Sequence, residues 1–521
     1  MKTEYDAIVV GGGIAGLTSA AYLSRSGART LLVEKREKTG GLVNTFWHQG
    51  FAFDGGIRAF ENSGILLPML KSLGIEMDFI QSAVSIGIEG RWTKLASRNS
   101  LQDYAALLTE LFPDNKTDVM RIVDEIRKVM GYMDVIYGID NPLLRDDMRD
   151  PEYLKKTLLP WLIQYQKNIG KVGRLSEPVY AYLKRITTND GLIDMIAQHF
   201  FKDTPTFFAL SYFSLYLDYL YPSGGTGVLA QKVTEFLNRA GAVVQTGTSA
   251  IQLDTKNNEV VLSNGNIAGY KRLVWAADQK MLYSIISESR SAKVEKQRLL
   301  VEEGVGSDSI LTVFMGVDMD KDYFYDRCGP HAFYTAVKDG LSSLPCWKTA
   351  RDDSNTLLNW IGSFFEKTTY EISCPALRDS SLAPEGKTGI IVSTLFNYDL
   401  VRFFFDSGEY ESLKSFCTNK IIDVIDHSIF PGLRDKLLFS VCATPLTLER
   451  ETGNSQGAIT GWSFSGTSMP SENRFKKIMR SIYTPIKDIV QCGQWSFSPS
   501  GLPVSILTGK LAADEVLKAL R

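Results

Sequence analysis

The sequence predicts an α/β fold that opens on a βαβ unit, and three observations predict it. Residues 7–10 (AIVV) read as a short buried strand, residues 14–26 place small and apolar side chains at helical spacing, and residues 30–34 read as a second apolar strand. Between the first strand and the helix lies GGGIAG, with Gly11, Gly13 and Gly16 at the GxGxxG positions. Glu34 ends the second strand about 20 residues further on, where a carboxylate can accept both hydroxyls of a ribose.

Each part of the turn has its own reason. Gly11 permits the tight turn, Gly13 lets the backbone approach a pyrophosphate, and Gly16 allows the helix to pack closely on the strand. The phosphates then meet free N–H groups and the positive end of the helix dipole. Ile14, Ala15 and Lys35 belong to the same site by position.

The chain returns to this lobe twice. Residues 242–262 have strand–turn–strand character, end at the SNG turn and continue into RLVWAAD, a strand over 273–276. IVQCGQW and SPSGLPVSILTGKLAADEVLKAL read as strand, turn and helix, with Pro503 in the first turn and Ser500 or Gly501 near the cap. A discontinuous Rossmann-type domain over 1–75, 221–284 and 481–521 is therefore expected. Residues 76–220 are mostly helical in pattern and are expected to form a helical cap or access region. Residues 285–480 mix helices with the β-rich runs ILTVFMGV, LLNWIGSFF and GIIVSTLF, as a mixed α+β substrate domain would.

Composition narrows the function. A chain of 521 residues with 44% apolar and 22% charged residues suits a soluble multidomain protein, and a net charge of −2 gives no reason to expect a nucleic-acid partner. Its 27 Phe and 22 Tyr suit a lipid-like ligand. The six cysteines form no CxxC pair and the four histidines lack ligand spacing, so reduced thiols in a cytoplasmic protein and no metal centre are expected. The first strand begins almost at Met1, so no cleaved leader is expected. No run approaches the roughly 18 apolar residues of a spanning helix, which leaves a protein that is soluble or peripheral to a membrane.

Further motifs carry a resemblance. Gly40 and Gly41 lie in TGGLVNTFWHQGFAFDGGIRAF, where FDGG, with Gly55 and Gly56, closes a hairpin before Ile57 and Arg58. There the chain resembles the phytoene-dehydrogenase-like flavoproteins, which include carotenoid desaturases, carotene cis–trans isomerases and retinol saturases. It departs from them at Leu42, where many members have Arg. YPSGGTGVLAQKV (221–233), ATPLTLERETGNSQGAITGW (443–462) and CGQWSFSPSGLPVSILTGKLAA continue the resemblance in order, so it covers essentially the whole chain.

The resemblance implies a nucleotide lobe of the glutathione-reductase/amine-oxidase type holding one FAD without a covalent link. It adds Ala250, Ala276, Gly493, Gln494, Leu502 and Pro503 to the expected contacts, with the last helix aimed at the flavin's pyrimidine edge. The implied reaction is desaturation or saturation of C–C bonds in a large apolar isoprenoid or polyene, by hydride exchange with flavin N5. A redox-neutral carotene isomerase, an amine- or porphyrinogen-oxidase-like enzyme and a non-enzymatic prenyl-lipid carrier are the alternatives. Only one GxGxxG follows a strand, so no separate NAD(P)H domain is expected; quinone, oxygen or a redox protein are the candidate electron partners.

Three features stay open at this level. Arg58 is the candidate catalytic residue, with a structural arginine bridging two lobes as the competing role. Residues 207–221 (FFALSYFSLYLDYLY) could line a tunnel or rest on a membrane. Tyr323, Phe324 and Tyr325 carry the same ambiguity.

Overall fold

A computed structural model describes residues 3–145, 150–286, 291–350, 354–465 and 469–521. Its first sheet begins with Thr3–Val10, flanked in parallel by Thr30–Val33 and by Ile267–Trp275. Val243–Gln245 extends the parallel set on one side, and Ile489–Gln491 pairs with the end of Ile267–Trp275 on the other. The antiparallel strands Glu259–Leu262 and Ala250–Asp254 complete it. Ile267–Trp275 thus starts six residues before the expected 273. Its first half pairs with the hairpin, so pairing rather than local apolarity sets that start.

The helices Ile14–Arg25 and Leu502–Leu520 cover one face of this sheet, and eleven of the twelve residues of the first are buried. Gly509 permits the contact, since a Cβ there would lie 2.4 Å from the Ala15 carbonyl oxygen.

The second sheet runs Leu437–Ala443, Ser309–Val317, Thr388–Phe396, Thr369–Ser373, His331–Thr335, Val84–Ile88 and Arg91–Leu95. ILTVFMGV and GIIVSTLF are its central strands, buried on both faces as their poor alternation suggests. LLNWIGSFF departs from expectation and lies in the helix Ser354–Lys367. Its buried residues Leu357, Ile361 and Phe365 follow each other at intervals of four, the helical repeat.

The cap region also departs from its helical reading at the start, because residues 84–95 form an edge hairpin of the second sheet. Helices follow, among them Lys116–Ile136, which buries Val119, Ile122, Val123, Ile126, Val129, Met130 and Met133 along one stripe. Asp54, at the end of the strand Phe51–Asp54, is fully buried. Its carboxylate accepts from Tyr221 Oη at 2.8 Å and from Thr226 N, Thr226 Oγ1 and Thr45 Oγ1 at 2.9 Å each. One carboxylate therefore ties FDGG to the distant YPSGGTG segment.

Candidate active site

Two cavities, of about 240 and 220 Å³, meet inside the molecule. The first lies at the carboxyl ends of the parallel strands, reached by Val10, Val33, Trp275 and Gly493, where an open α/β sheet offers a crevice. Gly11, Gly13, Ile14, Ala15, Glu34 and Lys35 line one part of it, and Gly40, Gly41, Leu42 and Ile57 another. Ala250, Ala276, Gly493, Gln494, Gly501 and Leu502 also line it.

The second cavity is bordered by Gly56 and Arg58. Gly16, Gly55 and Pro503 border neither, and each has a packing reason. A Cβ on Gly16 would stand 1.9 Å from the Gly11 carbonyl oxygen, and one on Gly55 would meet Asn44 Oδ1 at 2.3 Å. Pro503 is buried in the first turn of the last helix.

The first cavity has the chemistry of a dinucleotide cradle. Helix Ile14–Arg25 starts at Gly13 and helix Leu502–Leu520 at Gly501, neither with a side-chain cap. Their first-turn N–H groups are therefore left for a ligand rather than for the chain. A Cβ on Gly13 would meet no protein atom within 4 Å, so the turn presents bare backbone to open space. Glu34 accepts from Gly12 N at 2.7 Å and from Arg36 N at 2.9 Å, one bond per carboxylate oxygen. Each oxygen keeps a further lone pair for a ribose hydroxyl. These residues fit a dinucleotide.

Leu42, Ile57, Ile459, Ser500, Gly501 and Leu502 line both cavities and mark their junction. Beyond it the second cavity is walled by Phe200, Tyr212, Tyr216, Tyr219 and Phe333. The run 207–221 is buried or half-buried throughout, which favours the tunnel wall. Tyr323, Phe324 and Tyr325 lie in the helix Lys321–Arg327, away from both cavities, with Phe324 in the core behind the second sheet.

Arg58 borders the second cavity and is also held firmly by the fold. It is buried against the second cavity, its guanidinium donates to the carbonyls of Asp54 and Gly56, and Nη2 donates to Ser393 Oγ at 2.9 Å.

Sequence reasoning missed an ionisable set on the cavity wall. His331 Nε2 lies 2.9 Å from Glu371 Oε1, and the imidazole stacks on Tyr219 with centroids 5.6 Å apart. Burial pushes Glu371 up, but His331 and the nearby Arg58 and Arg378 outweigh it and hold the carboxyl below its ordinary range. Burial lowers His331, and drives His199 down to about 4. The available signal was Glu371 itself, a lone carboxylate in a strand otherwise patterned as core.

Comparison with known proteins agrees with this geometry. Residues 9–73 match a family described as an NAD(P)-binding Rossmann-like domain. An oxidoreductase from Methanosarcina mazei superposes with a TM-score of 0.63 at 14% identity, over 99% of this chain and 100% of that one. A putrescine oxidase variant does so with the same TM-score at 12% identity, over 100% of both chains. These likenesses show a shared fold, an α/β nucleotide-binding-type lobe joined to a second mixed sheet.

Among curated sequences, prolycopene isomerase of Daucus carota is 25% identical over 87% of this chain and 71% of its own length. All-trans-retinol 13,14-reductase of Danio rerio is 21% identical over 94% and 83%, and the lycopene-forming phytoene desaturase of Pseudescherichia vulneris 20% over 99% of each. Over most of its length the chain is thus similar to carotenoid and retinoid enzymes of the phytoene-dehydrogenase-like kind.

Proposed function

We propose that the first cavity holds one FAD without a covalent link and that the second takes a long unsaturated isoprenoid or related lipid, whose C–C bonds are saturated or desaturated. The observation that carries this reading is the junction, where a nucleotide cradle and an aromatic-walled cavity share Leu42, Ile57, Ile459 and the start of the last helix. A bound flavin supplies a two-electron hydride donor or acceptor there.

The chain's own residues bind and orient. Glu34 takes the ribose, the turn at Gly11–Gly13 takes the pyrophosphate, and the N–H groups after Gly501 stabilise negative charge on the ring. The aromatic walls exclude water from the junction. A quinone, oxygen or a redox protein completes the electron balance.

A second reading, redox-neutral double-bond isomerisation, is favoured by the similarity to a protein named prolycopene isomerase. No helix among the described residues is long and apolar enough to cross a membrane. With residues 207–221 packed inside, the lipid-collecting surface we favour is the helix Leu159–Val172, where Leu159, Leu162 and Ile163 are 54%, 42% and 56% exposed.

The test starts by identifying the nucleotide released on denaturation. Dithionite-reduced protein is then offered, without oxygen, all-trans-retinol, prolycopene or a quinone. FAD release with oxidation of the flavin by a polyene supports the proposal, and isomerised product without net oxidation supports the second reading. Release of FMN, or of no flavin, refutes both.

A further inference from the structure

The second cavity holds one carboxyl that nothing explained so far uses. Glu61 follows Phe60 in the two-residue strand Phe60–Glu61, which pairs antiparallel with Tyr219–Pro222. Neighbouring strand residues point to opposite faces. Phe60 accordingly enters the core under the first sheet, and Glu61 faces the cavity.

Its direct cross-strand partner is Tyr219, which lines the same cavity and stacks on His331. Among the described residues no cation pairs with the Glu61 carboxyl and no other side chain donates to it; its own backbone N–H is the donor beside it. The charges that reach it are the like charges of Asp218 and Glu371, and the surrounding ionisable side chains are the phenols of Tyr137, Tyr212, Tyr216 and Tyr219.

Two carboxyls on one cavity wall therefore stand in opposite environments. Glu371 is bonded to His331 and lies near Arg58 and Arg378, which favours its ionised form. Glu61 has burial and two like charges, and is pushed up to about 7. Divergent environments of this kind separate the group that carries a proton from the group that carries a charge. Sequence alone gave no sign of it, because a glutamate three residues after Arg58 in a short irregular segment reads as an exposed loop position.

We propose that Glu61 is the proton donor of the second cavity, giving its proton to the substrate carbon next to the one that exchanges hydride, and taking it back in the reverse direction. This rests on the flavoenzyme reading above. In saturation, one carbon of the double bond receives hydride, with two electrons, from reduced flavin. The neighbouring carbon receives the Glu61 proton, so the C=C π bond, the carboxyl O–H bond and the hydride donor's N–H bond break and two C–H bonds form. Oxidised flavin and the Glu61 carboxylate remain, and water reprotonates the carboxylate. Desaturation is the same sequence reversed, with the carboxylate as base.

The experiment uses purified holoenzyme, Glu61→Gln and Glu61→Asp. Infrared difference spectra across a pH titration should show a protonated carboxyl band that shifts in D2O, disappears near pH 7, moves when all-trans-retinol is added and is absent from Glu61→Gln. In single-turnover reduction of retinol by dithionite-reduced enzyme, Glu61→Gln should slow the step by about 100-fold or more. It should retain flavin and retinol binding, and Glu61→Asp should recover part of the rate.

The wild-type rate should fall as pH rises through the same titration. Wild type that shifts the Glu61 band on binding retinol yet never reduces it sinks the saturase reading and leaves the proton donor supported. No carboxyl titrating near neutrality, a band unmoved by retinol and by prolycopene, or Glu61→Gln with the wild-type rate and pH profile overturns the proposal.

Discussion

Gly13→Ala separates cofactor binding from folding, because Gly13 is the glycine of the turn whose neighbour on the Cβ side is empty space. Its backbone sits at φ −68° and ψ 173°, extended geometry that alanine adopts without strain. A Cβ there meets no protein atom within 4 Å. Restricting the unfolded chain should stabilise by about 0.4–1 kcal/mol. Replacing glycine by alanine at the N-cap should cost a similar amount, roughly 0.5–1 kcal/mol.

The two nearly cancel, so the flavin-free variant should melt within about 3 °C of flavin-free wild type. If the turn holds a pyrophosphate as proposed, the same methyl would stand between it and the helix N-terminus. Loss of two charge-assisted N–H bonds, roughly 1.5–3 kcal/mol each, weakens binding about 10²- to 10⁴-fold. Flavin-to-protein absorbance after gel filtration, with melting curves of both flavin-free proteins, gives the answer.

Gly16→Ala is the contrasting control. Its Cβ would lie 1.9 Å from the Gly11 carbonyl oxygen, so it should damage the fold itself. Full flavin occupancy in Gly13→Ala would falsify the placement of the pyrophosphate at this turn. A large fall in the melting temperature of its flavin-free form would show that the site is structural.

Three other outcomes follow from named contacts. From sequence, charge reversal at Arg58 is expected to change turnover while leaving the fold intact. The guanidinium's bonds to two backbone carbonyls and Ser393 beside Glu371 predict instead that Arg58→Glu costs about 3–5 kcal/mol and lowers Tm by roughly 10 °C, with an unchanged Tm counting against it. Glu61 is raised from 4.5 to about 7 by burial and then by Asp218 and Glu371, so the native state holds a proton that the unfolded chain releases. Stability should be greatest below pH 4.5 on this account and fall by roughly 3 kcal/mol as pH rises through 7; denaturant titrations of Glu61→Gln should lack that component. Leu215→Asp with Leu217→Asp should give insoluble or flavin-free protein, because both leucines pack against the helical core; a soluble yellow product would restore residues 207–221 as a surface segment.

The nucleotide lobe was legible because its sequence signals are local. GGGIAG, Glu34 and the Gly-Leu-Pro start of the last helix each act through backbone geometry within a few residues. LLNWIGSFF was misjudged because a short apolar run has no decisive period, and only the burial of Leu357, Ile361 and Phe365 reveals the helical one. The second cavity was hidden for a different reason. Glu61 lies hundreds of residues before His331 and Glu371, which sit on neighbouring strands, and no local pattern announces that pairing will set all three on one wall. Arg58 was found because it follows a recognisable turn, but its bond to Ser393 crosses 335 positions.

The way the first sheet closes has a consequence for synthesis. Ile489–Gln491 pairs with Ile267–Trp275, Leu502–Leu520 packs on Ile14–Arg25, and Gly493, Gln494 and Gly501 line the first cavity. A ribosome releases the opening βαβ unit long before these partners exist, so the emerging chain must wait with one face of its earliest helix uncovered. Such long-range closure is slow and leaves apolar surface exposed meanwhile. Cofactor loading should therefore be a late, post-translational event, and a nascent chain stalled before residue 489 should need chaperone cover and emerge colourless.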